Sequence, residues 1–231
     1  MGFIIAIEGI DGSGKNTQSE KILDEYMRNG KRASKLSFPQ YTSNFFGKEV
    51  GNYLNGEFGT LAEVHPKLSA MIYAGDRFES KNDIIEKSSN DSVLICDRYV
   101  HSNVAHQTAK VPQEYQGEFR SWIEKLEYDI YGIPKPDLVI FLDIPPSTSS
   151  KLILKKSARD YTNKKKDLHE ADDIYLRKVY ELFKVEASTN ANWVNIECFE
   201  SESLLNENEI FEKIKSELIY RNMLPAPSTK I

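Results

Sequence analysis

Cysteine and histidine are too few in this sequence to build a disulfide framework or a clustered metal site. The chain has two cysteines, Cys96 and Cys198, and four histidines among 231 residues. Neither residue type shows the short paired spacing that is typical of zinc ligands. We therefore predict two reduced cysteines inside strands of the core, as expected for a cytoplasmic protein.

Long apolar runs, internal repeats and low-complexity segments are also missing. The N-terminal apolar run, residues 3–7, is too short for a signal peptide or a membrane-spanning helix. A net charge of −5 gives no overall attraction to nucleic acid or to an anionic membrane. We predict a single domain over residues 1–231 that binds neither, so any affinity for phosphate must be local.

Strand-like runs alternate with helical patterns, which is typical of βαβ units and of a parallel sheet covered on both faces. The predicted strands are residues 3–7, 33–38, 92–96, 138–143 and 193–198. One continuous helix is predicted over residues 66–87. Another follows Pro112, and its apolar face carries Phe119, Trp122, Ile123, Leu126 and Ile130. The predicted fold is a three-layer α/β/α structure with a five-stranded parallel sheet.

The most informative motif is G-I-D-G-S-G-K-N-T at residues 9–17, which fits the G-x4-G-K pattern of a phosphate-binding loop. It lies between the first predicted strand and a helical pattern. Its glycines let successive N–H groups point into one concavity, and the lysine and the helix N-terminus add positive charge. We predict a nucleotide-phosphate site formed by Gly9, Asp11, Gly12, Ser13, Gly14, Lys15, Asn16 and Thr17.

Asn16 departs from this pattern, because the residue after the lysine is usually Ser or Thr, whose hydroxyl binds Mg²⁺. An amide oxygen could ligate the ion directly or through water. Equally, the ion could be held elsewhere, or the loop could bind nucleotide poorly. The sequence leaves these alternatives open.

Two further segments carry charges that suit phosphate chemistry. Asp97 and Arg98 follow the third predicted strand, at the sheet edge where α/β proteins bind ligands. The acid suits Mg²⁺ and the arginine a second phosphate, although the two could also form a structural ion pair. Residues 151–173 are rich in lysine and include Arg159. They are either a solvated surface or a mobile flap that closes over the phosphates.

Together these segments resemble the thymidylate kinases, a family that transfers the γ-phosphoryl group of ATP to dTMP. The resemblance follows the chain in order through residues 9–17, 38–41, 73–77, 97–106, 132–137 and 167–170. The combination of the loop, the D-R-Y-x-x-S-N run and the P-K-P-D turn is specific. It implies the P-loop NTPase fold with a LID at about 151–173, ATP and Mg²⁺ as cofactors, and a homodimer.

The resemblance also implies how the base of dTMP is recognised. Tyr73 would stack on thymine, and Phe38 would pack against it. Arg77 would donate to O4, while Asn103, with Ser102 beside it, would bind N3. Taken alone, the two aromatic residues could be ordinary core residues, and Arg77 could belong to an exposed charge cluster.

For the sugar, the phosphates and the metal, the resemblance implies a second set of contacts. Arg98 would hold the acceptor phosphate, with Tyr41 nearby. Asp11 would contact the sugar 3′-hydroxyl or magnesium, and Glu170 would assist magnesium or the sugar from the flap. The predicted magnesium ligands are Asp11, Asp97, Glu170 and Asn16.

Two features depart from the common family pattern. His106 stands where relatives have Tyr or Phe under the sugar C2′, which puts discrimination against ribonucleotides in doubt. The loop has no arginine, as in the branch whose flap supplies the catalytic arginine. That role would fall to Arg159, supported by Lys165 in binding ATP, so the predicted catalytic residues are Lys15, Arg98 and Arg159.

Two rival functions remain at this point. A kinase of the same fold could act on a nucleoside or another nucleoside monophosphate. A nucleoside would need a carboxylate base, for which Glu8 is the evident candidate. A protein of another class, an ATP-dependent switch, would hydrolyse ATP slowly and would not require Arg77 or Asn103.

Overall fold

The computed structural model describes residues 2–155, 173–200 and 203–225. Its central sheet has five parallel strands in the order β2-β3-β1-β4-β5, as the alternation of strand and helix patterns predicts. The strands are β1 (Phe3–Glu8), β2 (Arg32–Ser37), β3 (Ser92–Asp97), β4 (Leu138–Asp143) and β5 (Trp193–Glu197). A short hairpin, β6 (Phe199–Glu200) with β7 (Ser203–Leu204), follows the last strand.

Helices cover both faces of this sheet. They are α1 (Lys15–Arg28), α2 (Phe45–Leu54), α3 (Pro66–Glu79), α4 (Lys81–Lys87), α5 (Val100–Thr108), α6 (Gln116–Glu124), α7 (Pro146–Lys155), α8 (Asp173–Thr189) and α9 (Glu207–Tyr220). Alternate residues of β1 point to opposite layers, since side chains along a strand alternate. Ile4 packs with residues of α5 and α8, whereas Ile5 packs with residues of α1 and α9. The three-layer architecture predicted from the sequence is therefore confirmed.

Residues 156–172 lie outside the described residues and hold most of the predicted flap, including Arg159, Lys165 and Glu170. Within the described ranges, no helix combines the length and the apolar character needed to cross a membrane. Both cysteines are buried free thiols. Cys96 lies in β3 as predicted, but Cys198 lies one residue beyond the end of β5.

The predicted continuous helix over residues 66–87 is wrong, because the chain breaks at Ser80 into α3 and α4. The Ser80 hydroxyl donates to the Asp76 carbonyl at 3.2 Å and accepts from the side-chain amides of Gln40 at 2.7 Å and Asn44 at 2.8 Å. A serine that bonds the carbonyl four residues back competes with the helical backbone pattern. The break therefore follows from contacts with the segment after β2.

The predicted apolar face of the helix after Pro112 is wrong at its end. A 3₁₀ turn, Gln113–Tyr115, precedes α6, and a π-helical turn, Lys125–Ile130, continues it. A π turn inserts an extra residue and rotates the residues after it around the helix axis. As a result Ile130 is 64% exposed, while the carboxylate of Glu127 is fully buried.

Candidate active site

The phosphate-binding loop joins β1, the central strand, to the N-terminus of α1, as predicted. Gly9 has φ +148°, and a Cβ there would lie 2.8 Å from the Ser13 hydroxyl oxygen and 3.1 Å from the Leu142 carbonyl oxygen. Gly14 caps α1 in the left-handed region, with φ 87°. Both conformations are ones that glycine adopts without strain. The two glycines therefore permit the close turn over the strand end.

Lys15 folds back over this loop and is 6% exposed. Its ammonium donates to the carbonyl oxygens of Gly9 at 2.9 Å and Ile10 at 2.8 Å. Burial, followed by the nearby charge of Arg98, lowers the pKa of Lys15 to about 8. The group therefore remains mainly cationic at neutral pH. A phosphate in the loop would offer this cation anionic oxygens in place of backbone carbonyls.

Arg98 joins the loop to the neighbouring strand ends, and its φ of 67° is unusual for a residue with a side chain. Its guanidinium forms an ion pair with Asp11 and donates to the Ser102 hydroxyl at 3.2 Å. Burial acts against the charge of Arg98, but Asp11 and other carboxylates outweigh it and raise the pKa. Three predicted site residues thus meet at the carboxyl edge of the sheet. A positive φ in a residue other than glycine, as at Arg98, is often found at functional sites.

Glu8 is the carboxylate proposed above as a base for a nucleoside acceptor, and it is fully buried. One oxygen accepts from the backbone N–H groups of Tyr99 at 2.8 Å and Ser102 at 3.1 Å. The other accepts from the Ser102 hydroxyl at 2.5 Å. Burial raises the pKa of Glu8 to about 7. Both oxygens of Glu8 thus accept hydrogen bonds at the N-terminus of α5. This arrangement does not favour a role for Glu8 as a general base toward an acceptor hydroxyl.

A cleft beside the loop gathers the predicted acceptor-binding residues that the structure describes. Its lining comprises Asp11, Phe38, Pro39, Tyr41, Leu54, Tyr73, Arg77, Arg98, Ser102, Asn103, His106 and Gln107. Nine of these are predicted dTMP-binding residues from four separate segments. Pro39, Leu54 and Gln107 were not predicted. The spatial meeting of residues chosen only from their order in the chain is the main structural support for the predicted site.

Arg77 and Asn103 are joined at the inner end of the cleft by Glu127. The Arg77 guanidinium, 1% exposed, donates through Nε and Nη2 to the two oxygens of Glu127, each at 2.5 Å. Asn103 Nδ2 donates to Glu127 Oε1 at 2.8 Å and to the Ala70 carbonyl at 3.0 Å. Arg77 also faces the Phe38 ring, with 6.0 Å from its Cζ to the ring centroid. The alternative of an exposed charge cluster at Arg77 is wrong.

The orientation of the Asn103 amide follows from these partners. A carbonyl and a carboxylate only accept, so the amide nitrogen must face them. Its oxygen, Oδ1, is then directed away, and it is buried without a hydrogen-bond partner among the described residues. Because buried polar atoms are nearly always paired in folded proteins, this acceptor calls for a donor from a ligand or water.

Glu127 is a functional residue that the sequence analysis missed. A helical pattern continued through residues 125–130 places it beside Leu126 and Ile130 without assigning it a partner. The local sequence gives no signal for it, because Glu124, Lys125 and Asp129 make the surrounding stretch rich in charge. Burial works against the charge of Arg77, but the Glu127 carboxylate raises the pKa of the guanidinium and keeps it ionised.

His106 is buried against α8. Its Nδ1 lies 3.0 Å from the hydroxyl oxygen of Tyr175, and this hydroxyl donates to the His106 carbonyl at 2.9 Å. Since that hydroxyl hydrogen is already used, Nδ1 carries the hydrogen that the Tyr175 oxygen accepts. Burial, followed by the charge of Arg98, lowers the pKa of His106 to about 3. The imidazole is therefore neutral at physiological pH.

The predicted magnesium ligands are only partly assembled in the described residues. Asp97 ends β3, and Asp11 is paired with Arg98. The Asn16 side-chain oxygen accepts from Lys35 Nζ at 2.7 Å, so a lysine occupies the group that was to ligate the ion. Within residues 2–155, 173–200 and 203–225, no group of three or more His, Cys, Asp or Glu side chains forms a metal site.

Comparison with known proteins gives a consistent result. A family model described as thymidylate kinase matches residues 7–210. The thymidylate kinase of Mycobacterium tuberculosis (strain ATCC 25618 / H37Rv) is 31% identical over 169 residues, covering 73% of this chain and 78% of that protein. The thymidylate kinase of Homo sapiens is 31% identical over 150 residues, covering 65% of each chain. That of Plasmodium falciparum (isolate 3D7) is 29% identical over 199 residues, covering 85% and 82%.

A solved structure of thymidylate kinase from Candida albicans resembles this one with a TM-score of 0.72. The two chains are 21% identical, and the match covers 96% of this chain and 92% of the other. At that identity the likeness supports the fold.

Proposed function

The chain belongs to the thymidylate kinase family, and we propose that its cleft holds dTMP while residues 9–17 hold ATP. The protein is an ATP-dependent nucleoside monophosphate kinase that transfers the γ-phosphoryl group of ATP to dTMP, giving dTDP and ADP. The ATP-dependent switch and the kinase for another acceptor are not favoured. The observation that carries the assignment of the cleft is the pair of opposed hydrogen-bonding groups on Arg77 and Asn103.

The base would be read at this pair. Glu127 holds Nε and Nη2 of Arg77, so Nη1 would donate to thymine O4. The buried Oδ1 of Asn103 would accept from N3–H. Cytosine has a donor at position 4 and no hydrogen at N3, so it would leave both protein groups mispaired. Tyr73 would stack on the base, and Phe38 would pack against it.

The acceptor phosphate would bind at Arg98. In the structure Asp11 provides the carboxylate for this guanidinium. The dTMP phosphate would take over that charge, and Asp11 would turn to the sugar 3′-hydroxyl or to magnesium. Tyr41 lines the same part of the cleft, and His106 would lie under the sugar. The attacking oxygen already belongs to an anionic phosphate, so the reaction needs in-line positioning and charge stabilisation more than a general base.

Lys15 and the loop N–H groups would hold the ATP phosphates. Mg²⁺ fits the oxygen donors at this edge, since it is commonly held by one or two carboxylates together with substrate phosphates. Asp97 and Asp11 would supply them, and Asn16 would act through water because Lys35 holds its side-chain oxygen. Bound Mg²⁺ would neutralise charge on the phosphates. Arg159, Lys165 and Glu170, which lie outside the described residues, would complete the site.

We further propose a cytoplasmic, single-domain enzyme that forms a homodimer. The support for a dimer is an apolar surface on α2 and α3. It consists of Phe45 (64% exposed), Phe46 (36%), Leu68 (58%), Met71 (43%) and Phe78 (49%). Clustered exposed apolar residues of this kind mark protein interaction sites. Sedimentation velocity tests the proposal, and a monomer at micromolar concentration would contradict it.

The proposed substrate assignment is tested with a coupled assay of ADP release from MgATP. The panel contains dTMP, dUMP, dCMP, UMP and thymidine, together with a reaction without acceptor. We expect dTMP to give the highest kcat/KM, dUMP to follow it, and thymidine to be inactive. Equal use of dCMP would contradict the assignment of the cleft. Release of ADP that no acceptor stimulates would instead support the switch.

A further inference from the structure

A second amide, Gln107, lies one helical turn after Asn103 on α5 and also lines the cleft. It is fully buried. Its side-chain oxygen accepts from the Ser69 hydroxyl at 2.7 Å and from Lys110 Nζ at 2.6 Å. A lysine has no acceptor, so the amide oxygen must be the atom that faces it. The amide nitrogen is then directed away, and it is buried without a hydrogen-bond partner among the described residues.

The two amides of α5 are held in opposite orientations by consecutive residues of α3. The Ala70 carbonyl accepts a hydrogen bond from the amide nitrogen of Asn103, whereas the Ser69 hydroxyl donates one to the amide oxygen of Gln107. Both residues line the cleft, and the atom left without a partner is an acceptor in Asn103 and a donor in Gln107. Residues four apart on a helix are neighbours, about 5–6 Å between Cβ atoms. Both groups can therefore reach one small ring.

Arg77 completes a three-part pattern. Arg77 and Asn103 both donate to the Glu127 carboxylate, and Gln107 lies one turn further along α5. The cleft thus offers a donor, an acceptor and a donor, in that order. The pyrimidine edge of thymine or uracil offers the complement, namely the acceptor O4, the donor N3–H and the acceptor O2. Three matched contacts in one order are more selective than any one of them.

Lys110 orients the Gln107 amide and is itself a partly buried cation. Its ammonium donates to the Tyr53 hydroxyl at 2.6 Å, to Gln107 at 2.6 Å and to the Ser69 hydroxyl at 3.4 Å. It also lies 5.0 Å from the Tyr53 ring centroid. No carboxylate forms an ion pair with it in the described part of the chain. A lysine that is partly withdrawn from water and has only neutral hydrogen-bond partners is a candidate for a specific role.

We propose that Gln107 donates to O2 of the pyrimidine, and that Lys110 is the positioning residue that holds this amide in the donating orientation. The inference rests on the proposed binding of dTMP in the cleft. Lys110 touches Gln107 and not the substrate. Its charge state would act on substrate affinity mainly through the amide.

The ionisable groups around Lys110 come from three helices. They are Tyr53 of α2, Tyr73 of α3, whose ring packs edge-on against that of Tyr53, and His106 of α5, whose pKa the lysine helps to lower. Burial lowers the pKa of Lys110 to about 7. The ammonium is therefore lost as the pH rises through neutrality, and with it the charge-assisted bond that orients Gln107.

The first test uses Gln107→Glu with a modified substrate. Glutamate keeps oxygens for Lys110 and Ser69 but has no N–H for O2, so KM for dTMP should rise by at least roughly 10-fold with a smaller change in kcat. Cytosine has the same O2, so KM for dCMP should rise by a similar factor. In 2-thio-dTMP a weakly accepting sulfur replaces O2. The wild type should bind it less well than dTMP, and Gln107→Glu should bind both alike.

The second test uses Lys110→Met, with exposed Lys125→Met as the matched control. The ratio of KM for dTMP between Lys110→Met and wild type should be larger at pH 6 than at pH 8.5, because only the wild type gains the ammonium at low pH. Titration of the dTMP phosphate is common to both proteins and cancels in the ratio. Lys125→Met should equal wild type throughout.

Several results would overturn the inference. They are a wild type that does not distinguish 2-thio-dTMP from dTMP, an unchanged KM in Gln107→Glu, and a KM ratio for Lys110→Met that is independent of pH. The thio-substrate comparison needs no variant, so a failure to fold cannot obscure it. A wild type that does not phosphorylate dTMP at all would overturn the proposed function itself and is a separate outcome.

Discussion

Arg77 of α3 and Glu127 of the π turn, 50 residues apart in the chain, form a two-point ion pair in which neither residue is more than 1% exposed. The same carboxylate accepts from the Asn103 amide. One acidic side chain therefore orients both residues that would read positions 4 and 3 of the base. A bidentate contact of this kind fixes the plane of the guanidinium as well as its charge.

Replacing Glu127 should damage both folding and recognition. Glu127→Gln leaves the Arg77 charge buried and uncompensated, which typically costs about 3–5 kcal/mol. We expect that loss in the free energy of unfolding measured with urea, together with a higher KM for dTMP. The control is Glu124→Gln, one turn earlier, which breaks a partly exposed pair with Arg120. Such a pair contributes about 0–1 kcal/mol. Equal stability of the two variants would contradict this account of the buried pair.

Wild-type enzyme should prefer dTMP to dCMP by at least about two orders of magnitude in kcat/KM. A hydrogen bond that involves a charged group contributes about 1.5–3 kcal/mol, or roughly 10- to 150-fold per contact. Uracil keeps both hydrogen-bonding groups of this edge and lacks only the methyl group. The kcat/KM for dUMP should therefore be reduced much less than that for dCMP. Arg77→Ala should reduce kcat/KM for dTMP and should reduce the ratio of kcat/KM between dTMP and dCMP.

The double variant Arg77→Ala/Glu127→Ala removes both buried charges and separates specificity from folding. It should show the same reduced preference for dTMP over dCMP, with a smaller loss in the free energy of unfolding than either single variant. An Arg77→Ala enzyme as active and as selective as wild type would remove this pair from base recognition.

Lys15→Ala should nearly abolish turnover in a folded protein. The ammonium would stabilise charge on the β- and γ-phosphates, and loss of one such donor commonly lowers the rate by about 10²–10³. Steady-state kcat should be measured beside far-UV circular dichroism and thermal unfolding. Lys21→Ala, six residues later on α1, is the control. A folded Lys15→Ala enzyme with unchanged kcat would exclude the loop from the chemistry.

Glu8 should make stability depend on pH. Burial raises its pKa from 4.5 to about 7. Its contribution to stability is then complete below pH 4.5 and is lost as the pH rises through 7. The free energy of unfolding of Glu8→Gln, relative to wild type, should therefore increase between pH 5 and pH 8 by on the order of 2 kcal/mol. Groups that do not interact with Glu8 titrate alike in both proteins and cancel in the difference. A difference that is constant with pH would contradict the buried protonation.

Much of the fold and the broad location of the site follow from local sequence. The apolar runs predict the five parallel strands, and the loop motif between β1 and α1 predicts the phosphate site. Residues that come directly after strands, such as Phe38 and Arg98, meet at one sheet edge because all five strands are parallel. The cleft was therefore predictable in outline.

The parts that were not predictable depend on contacts between distant segments. The break at Ser80 needs Gln40 and Asn44, and the burial of Glu127 needs a π turn that residue periodicity alone does not reveal. The opposite orientations of the Asn103 and Gln107 amides depend on α3. Sequence patterns report which residues share a face. They do not report which end of an amide faces a partner.

The helix α3 has an additional consequence, which concerns mutational tolerance. Its inner side holds Ser69, Ala70 and Arg77, and its outer side carries the exposed apolar residues Leu68, Met71 and Phe78. At Gly75, even a methyl group would lie 2.6 Å from the Phe46 ring. An ordinary surface helix keeps one side on which substitutions are neutral. Here the inner and outer sides and the close approach to α2 leave few positions where α3 can vary, so changes in the acceptor pocket and changes in self-association would tend to arise together.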